Sequence, residues 1–218
     1  MKKILIINDN SVSKISGVAT ALEKTADILR QKDHKVKIIH HGLFPSFSLA
    51  PWFPEVYFSF FSGPKLKKEI ILEKPDHIHI ATEGTLGLKA RMLCVRKKIK
   101  FTTSYHTHYD LFLQERAGNF LFNIARSYLR WFHSKAEATM VSTESLKKEL
   151  EEIGYKNIVI CPLGVDTNLF KKPDNIIYTY PRPVFTYLGR VAKEKNVPEF
   201  LECNLPGTKL VIGDGPQK

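Results

Sequence analysis

Cysteine is scarce in this chain, and the few that occur lie far apart. Cys94, Cys161 and Cys203 show no C-x-x-C spacing, so the sequence encodes neither a zinc site of cysteine ligands nor a disulfide framework. A reducing, cytoplasmic setting fits this usage best. Long apolar runs are missing too, because no window reaches the ~20 apolar residues that a membrane-spanning helix needs.

Acidic residues are too few to balance the basic ones. The chain has 33 Lys and Arg against 22 Asp and Glu, a formal net charge of +11 at pH 7. Such a charge favours polyanions, phosphorylated metabolites or an anionic membrane surface as partners. Nucleic acid is not predicted, because the basic residues are scattered among helices instead of being interleaved with aromatic residues on one strand face.

Short apolar runs alternate with helical patterns along the chain, which is typical of a parallel α/β sheet. The first run covers residues 4–7, a helix follows from Gly17 to about residue 32, and a second strand covers 36–39. We predict a Rossmann-like parallel sheet over residues 1–165, an α/β fold of doubly wound type. The further predicted strands are 78–81, 101–105, 138–141 and 158–160, and the further helices are 65–74, 84–96, about 117–134 and 143–153.

The rest of the chain is organised differently. Residues 166–182 contain Pro173 and Pro181 and few periodic apolar residues, which indicates a linker. Residues 183–218 form a single βαβ pattern. Because two strands and one short helix bury little apolar surface, we interpret this segment as an incomplete second α/β unit.

Two cations follow the predicted strand 184–188. Arg190 and Lys195 come after Gly189, at the carboxyl end of the strand and before the next helix. A guanidinium and an ammonium in that place form a receptor for a diphosphate. The alternative is a pair of exposed cations in a solvated turn.

The segment from Phe44 to Phe61 contains Trp52 and six phenylalanines between several prolines. Aromatic side chains next to Lys65, Lys67 and Lys68 fit a loop that dips into a membrane or meets a lipid acceptor. The favoured interpretation is a strand and loop packed on the core of the domain, since aromatic side chains are commonly buried.

Six segments of the chain carry a resemblance to a known family. They are Ser16–Thr20 (SGVAT), His79–Gly87 (HIATEGTLG), Ser104–Tyr109 (SYHTHY), Gly164–Phe170 (GVDTNLF), Tyr187–Val191 (YLGRV) with Glu194–Asn196 (EKN), and Leu205–Lys209 (LPGTK) with Gly213–Pro216 (GDGP). In this order they resemble the family 4 retaining glycosyltransferases of GT-B fold, within them the bacterial α-mannosyltransferase-like and sulfolipid-synthase-like members. Each segment alone is weak evidence, whereas six in order are strong evidence.

The resemblance implies a two-domain enzyme that binds the acceptor mainly with residues 1–165 and a nucleotide-sugar with the second domain. Arg190 and Lys195 match the family's cations on the donor diphosphate, and Gly17 is the expected contact of the first domain with the donor phosphates. His106 matches the histidine that faces the transferred sugar, and is the predicted catalytic residue.

Four residues at strand ends are acceptor-side candidates by their position: Thr82, Glu83, Tyr105 and Tyr109.

The reaction implied by the resemblance is retaining transfer of a hexose to a lipid or glycan hydroxyl. The donor expected first is GDP-mannose, and a UDP-sugar is next. No two Asp residues stand two positions apart, so we expect no metal on the diphosphate, with Arg190 and Lys195 taking its place.

The chain departs from the family pattern at its end. Complete family members continue beyond the Gly213–Pro216 turn with a region that includes an E-x₇-E motif, which has no counterpart before Lys218. A truncated or degenerate copy is the favoured explanation. The alternatives are a split enzyme, completed by a second polypeptide, and a stand-alone binding module on the inner face of the membrane. By itself the chain is expected to turn over little or no substrate.

A metal-dependent hydrolase is the competing hypothesis for the same residues. His106, His108 and Asp110 satisfy H-x-H-x-D, and alternate residues of an extended strand face one way, so the three side chains could converge on a metal. His77 and His79 could add ligands. The next residue is Leu111, whereas metallo-β-lactamase-type hydrolases continue with another histidine.

Overall fold

The computed structural model describes residues 1–9, 17–49, 53–59, 62–106, 108–172 and 179–218. These residues divide into two compact units, Met1–Gly164 and Val165–Lys218.

The first unit is built on a parallel sheet of six strands in the order β2-β1-β5-β6-β7-β8. This confirms the predicted α/β fold class. A separate antiparallel pair, β3 and β4, lies between β2 and β5 in the chain. The strands are β1 Lys3–Asn8, β2 Lys35–His40, β3 Phe47–Leu49, β4 Phe53–Phe58, β5 His77–Ile80, β6 Thr102–Ser104, β7 Thr139–Val141 and β8 Ile158–Ile160.

Helices connect the parallel strands. They are α1 Gly17–Gln31, α2 Gly63–Lys67, α3 Thr85–Lys97, α4 Tyr109–His133 and α5 Glu144–Glu152; a 3₁₀ turn, His41–Leu43, and a π-helical turn, Lys68–Leu72, complete the set. Thr143 caps α5, because its hydroxyl accepts a hydrogen bond from the amide of Leu146 at 3.2 Å. Such a cap satisfies one of the amides that a helix start leaves without an intrahelical partner.

The core lies between the centre of the sheet and the helices. Ile7 pairs in register with Ile39 and Ile80, and all three side chains are fully buried. Leu86 and Ala90 of α3 pack into the same cluster. Runs of β-branched residues are typical of parallel strands covered on both faces, which is why the apolar runs located these strands.

The strand order creates a crevice at one position. After β1 the chain crosses to β2 on one side, and after β2 it returns to β5 on the other side of β1. Helix α1 packs on the face of the sheet that carries Ile6, and α3 packs on the opposite face, which carries Leu5 and Ile7. In open α/β sheets, ligands bind outside the carboxyl ends of the strands at this switch point.

Helix α4 begins earlier than the sequence pattern indicated. It starts at Tyr109, whereas the prediction began at about residue 117. Residues 111–113 are three consecutive apolar residues, which give no helical period in a short window.

The aromatic segment contains the β3–β4 hairpin, and its Phe44 is buried in the main core cluster. Residues 50–52, 60 and 61 of that segment, Trp52 among them, lie outside the described residues. The buried Phe44 agrees with packing on the domain core at that end of the segment.

The second unit contains a two-stranded parallel sheet and one short helix: β9 Val184–Leu188, α6 Val197–Glu202 and β10 Thr208–Ile212. The loops after the two strands are in backbone contact. The amide of Val191 donates a hydrogen bond to the carbonyl of Asp214 at 2.9 Å. A Cβ at Gly213 would overlap the carbonyl of Gly189. Glycine is therefore required there for the two loops to approach each other.

No helix in the described part of the chain is long and apolar enough to cross a membrane. The three cysteines are free thiols.

Candidate functional site

The carboxyl ends of β1, β5 and β6 place a set of polar side chains at the switch point. Asp9 follows β1, Thr82 and Glu83 follow β5, and Tyr105 and His106 follow β6. The first four are buried and His106 is half-buried. The sheet thus gathers two carboxyl groups and an imidazole at the edge where α/β folds bind ligands.

Asp9 holds the start of α3. Its carboxylate accepts the amides of Leu86 at 2.7 Å and Gly87 at 3.0 Å, and the hydroxyl of Thr82 at 2.9 Å. The backbone amide of Asp9 donates to the same hydroxyl oxygen at 2.6 Å. Burial raises the pKa of Asp9 to about 6, and the amides of Leu86 and Gly87 oppose that shift.

Glu83 is held by both its side chain and its backbone. Its Oε1 lies 3.2 Å from Nε2 of His133, and both side chains are almost fully buried. The hydroxyl of Tyr128 donates to the carbonyl of Glu83 at 2.6 Å. On its other side His133 bonds the hydroxyl of Thr103 at 2.9 Å. A buried carboxylate of this kind is tolerated because it has partners.

His106 has a buried Nε2 atom with no hydrogen-bond partner among the described residues. Burial lowers the pKa of His106, and the charge of Glu83 opposes this. The imidazole is therefore neutral at pH 7. Its neighbour His79 has both nitrogens engaged, by Thr102 at 2.9 Å and Ser104 at 3.0 Å, and burial lowers its pKa to about 3.

The acceptor-side candidates differ in their surroundings. Thr82 bonds Asp9, and Glu83 bonds His133. Tyr105 is 3% exposed and packs edge-on against His108 and Tyr155. The side chain of Tyr109 lies outside the described part of the structure. Acceptor contact by these four residues stays a prediction.

Gly17 is the first residue of α1 and is exposed. A Cβ added there would meet nothing within 4 Å, so the protein itself does not require a glycine at this position. The preceding residues 10–16 lie outside the described residues. A phosphate contact at Gly17 remains an expectation from the resemblance.

Arg190 and Lys195 lie in the second unit, directly after β9. Both are exposed; the carbonyl of Arg190 accepts the hydroxyl of Tyr187 at 2.8 Å, and Lys195 ends a 3₁₀ turn, Lys193–Lys195. The hydrogen bond from the amide of Val191 to the carbonyl of Asp214 fixes the loop that carries Arg190 against the loop after β10. The structure places both cations at the carboxyl end of a parallel strand, as the sequence predicted.

The metal-site hypothesis assumed that three residues lie on one extended strand, and the structure does not have that strand. Asp110 lies in the first turn of α4, so His106, His108 and Asp110 do not continue one extended strand. Nδ1 of His108 lies 3.9 Å from Oε1 of Glu149. Within the described ranges, no group of three or more His, Cys, Asp or Glu is arranged to hold a metal.

Sequence reasoning missed Asp9, Tyr128 and His133. Asp9 has a local signal, because it is the first acidic residue after the β1 apolar run, and Gly84 and Gly87 of the later loop are spaced to admit its carboxylate. His133 and Tyr128 are 50 and 45 positions from Glu83. Nothing in a single sequence links residues at that separation.

The fold is that of the N-terminal domain of GT-B proteins. The chain belongs to Glycosyltransferase Family 4, whose family model matches residues 15–169. This confirms the resemblance found in the six sequence segments.

Known relatives extend over the whole chain. The sulfoquinovosyl transferase SQD2 of Arabidopsis thaliana is 23% identical over 248 residues, which include 98% of this chain and 47% of that protein. The chain therefore spans about half the length of this curated relative.

Two solved structures share the fold. A sucrose-phosphate synthase from Thermosynechococcus elongatus superposes with a TM-score of 0.70 at 14% identity, over 100% of this chain and 64% of that one. MnaA from S. aureus, solved with UDP, gives a TM-score of 0.55 at 13% identity, over 98% of this chain and 62% of that one.

Proposed function

We propose that the protein takes part in the transfer of a hexose from a nucleotide-sugar to a lipid or glycan hydroxyl, with retention of configuration and without a metal on the diphosphate. The observation that carries the proposal is the family match over residues 15–169. The matched range includes Glu83 and His106.

The crevice has the chemistry for a sugar and not for a diphosphate. Its two buried carboxyl groups, Asp9 and Glu83, are hydrogen-bonded within the fold. His106 supplies a neutral imidazole whose Nε2 has no hydrogen-bond partner among the described residues, and imidazoles form hydrogen bonds with hydroxyl groups. The half-buried His106 is the side chain proposed to orient a hydroxyl of the transferred sugar or to support the developing oxocarbenium charge.

The diphosphate requires cations, because the departing nucleotide gains negative charge in the transition state. Arg190 and Lys195 have the appropriate chemistry, a guanidinium that bonds two oxygens and an ammonium that acts as a point charge. The helix start at Gly17 adds amide donors and the positive end of a helix dipole. We propose these three groups for the donor phosphates.

The donor sugar is tested with purified protein and a panel of GDP-mannose and UDP-hexoses. Release of nucleoside diphosphate is measured with lipid and glycan acceptors, and donor affinity is measured separately by calorimetry. The printed name of the Arabidopsis relative adds a sulfoquinovosyl donor to the panel. No binding of any donor would contradict the proposal. Binding without release would leave the donor site standing and point to a second polypeptide that completes the enzyme.

Lys193 provides a matched control for Lys195. Both are exposed lysines of the same 3₁₀ turn. Lys195→Ala should weaken donor binding by about tenfold or more, because one charge-assisted hydrogen bond is lost. Lys193→Ala should leave the affinity nearly unchanged. Equal losses in both variants would show that only overall charge matters.

A membrane surface is the proposed location of the acceptor. A groove of about 490 Å³ runs between α2 and α3, and its charged lining residues are all basic. Lys67 and Arg96 are exposed at this groove, together with Met92 and Val95. Exposed apolar side chains among cations match an anionic lipid surface in charge and polarity.

The membrane proposal is tested by co-sedimentation with vesicles. Binding should rise with the content of phosphatidylglycerol and fall with salt. Arg96→Glu should weaken it, whereas Lys24→Glu, on the exposed face of α1, should have less effect. Equal loss in both variants, or binding to purely zwitterionic vesicles, would count against a docking face on α3.

A further inference from the structure

The amino end of α3 is already occupied by an internal anion. The carboxylate of Asp9 accepts the amides of Leu86 and Gly87 at 2.7 and 3.0 Å, within the first turn of a 13-residue helix. The backbone of Asp9 is fixed as well, since His41 Nδ1 lies 2.6 Å from its carbonyl oxygen. One residue thus ties together the ends of β1 and β2 and the start of α3.

The loop after β5 is shaped around this carboxylate. A Cβ at Gly84 would lie 2.5 Å from Cγ of Asp9, and a Cβ at Gly87 would overlap the carbonyl of Thr82. Gly84 has φ −73°, a value that any residue adopts, so the backbone conformation does not require glycine there. The proximity of Asp9 does.

We propose that Asp9 is a positioning residue of the transfer site, which caps α3 from inside the fold and thereby holds the Thr82–Gly84 loop, with the Glu83 carboxylate, beside His106. This inference rests on the proposed function. In it Asp9 acts by positioning Glu83 and does not contact the substrate. Asp9 also takes two of the amides at the start of α3, those of Leu86 and Gly87, which are then not available to a ligand.

The charges that face Asp9 come from several elements. Glu83, in the loop after β5, raises the pKa of Asp9 further. The charge of Asp9 in turn opposes the fall in the pKa of Lys89 on α3 and adds to the rise in the pKa of Tyr128 on α4. His41 bonds the backbone of Asp9. With a pKa raised to about 6 by burial, the carboxylate is ionised at neutral pH and becomes protonated in mildly acidic solution.

The first test needs no variant and no activity. Amide proton shifts of Leu86 and Gly87 are followed by NMR between pH 5 and 8 in the intact protein. Both should titrate together, moving upfield as Asp9 is protonated, because a neutral carboxyl group is a weaker acceptor. The His106 ring signals should shift over the same range. Asp9→Asn should abolish this titration, and Asp33→Asn, an exposed aspartate at the end of α1, should preserve it. Amides that do not titrate would overturn the proposal.

The second test is kinetic. Asp9→Asn should lower kcat by about ten- to a hundredfold with little change in the KM for the donor, since a misplaced loop disturbs the reacting geometry. The fall in kcat of the parent protein below about pH 6, which follows protonation of Asp9, should disappear in this variant. A variant with the parent's kcat and pH profile would refute the positioning role.

The two tests keep this inference separate from the proposed function. If the parent protein binds no donor, the proposed function fails. Whether it binds without transfer or does not bind at all, the amide titrations of Leu86 and Gly87 decide the inference. If the parent protein is active and Asp9→Asn equals it, the inference fails and the function stands.

Discussion

The buried carboxylate of Asp9 makes the stability of the protein depend on pH in a direction opposite to that of most aspartates. Its pKa is raised from 3.8 to about 6 in the fold by burial. The folded state therefore binds a proton more readily than the unfolded chain. The stabilisation by this proton is complete below about pH 3.8 and is lost as pH rises through about 6. Integrated over both pKa values, the ionised form costs the fold about 3 kcal/mol at pH 8.

About half of that effect falls in a range where measurement is practical. From pH 8 to pH 5 the parent protein should gain about 1.4 kcal/mol of unfolding free energy relative to Asp9→Asn, which cannot titrate at this position. Urea denaturation of both proteins at four pH values measures the difference. Other titrating groups cancel in it. Asp33→Asn serves as the control and should show no such trend. A difference that stays constant with pH, or that falls toward pH 5, would refute the assignment of Asp9 as a buried, raised-pKa carboxylate.

Three further substitutions probe the packing around the crevice by urea denaturation. Gly84→Ala should destabilise the fold by about 2 kcal/mol, since its Cβ would lie 2.5 Å from Cγ of Asp9. The loss should shrink when Asp9→Ala is also present. Arg91→Ala should cost about 3 kcal/mol, because the buried guanidinium donates to two carbonyl oxygens at the end of α4, both at 2.7 Å. Thr143→Ala removes the α5 cap and should cost about 1 kcal/mol; a loss as large as that of Arg91→Ala would contradict a simple capping role.

The central strand β1 could be predicted from its own residues. Ile4–Ile7 is a continuous apolar run bounded by Lys3 and Asn8, and such a run indicates a buried strand. The start of α4 at Tyr109 and the pairing of β3 with β4 could not be predicted, because local periodicity specifies neither a helix start beside an apolar run nor the partner of a strand.

The candidate site, too, could be predicted from the sequence only in part. The position of His106 follows from its place two residues after β6, since the carboxyl ends of parallel strands lie at one edge of a sheet. The partners of the site residues do not follow. Glu83 meets His133 only because α4 returns across the end of the sheet, and a single sequence does not specify that contact.

The charge of the protein and the charge of its crevice have opposite signs. The chain carries a formal net charge of +11, yet the described floor of the crevice has two buried carboxyl groups, Asp9 and Glu83. Two carboxylates repel a diphosphate, and their repulsion is strong where water is excluded. The crevice therefore suits the uncharged parts of the substrates, the sugar ring and the hydroxyl that attacks it. The proposed function accordingly assigns the departing phosphates to amide donors and to cations such as Arg190 and Lys195, because these groups stabilise developing negative charge and carboxylates do not.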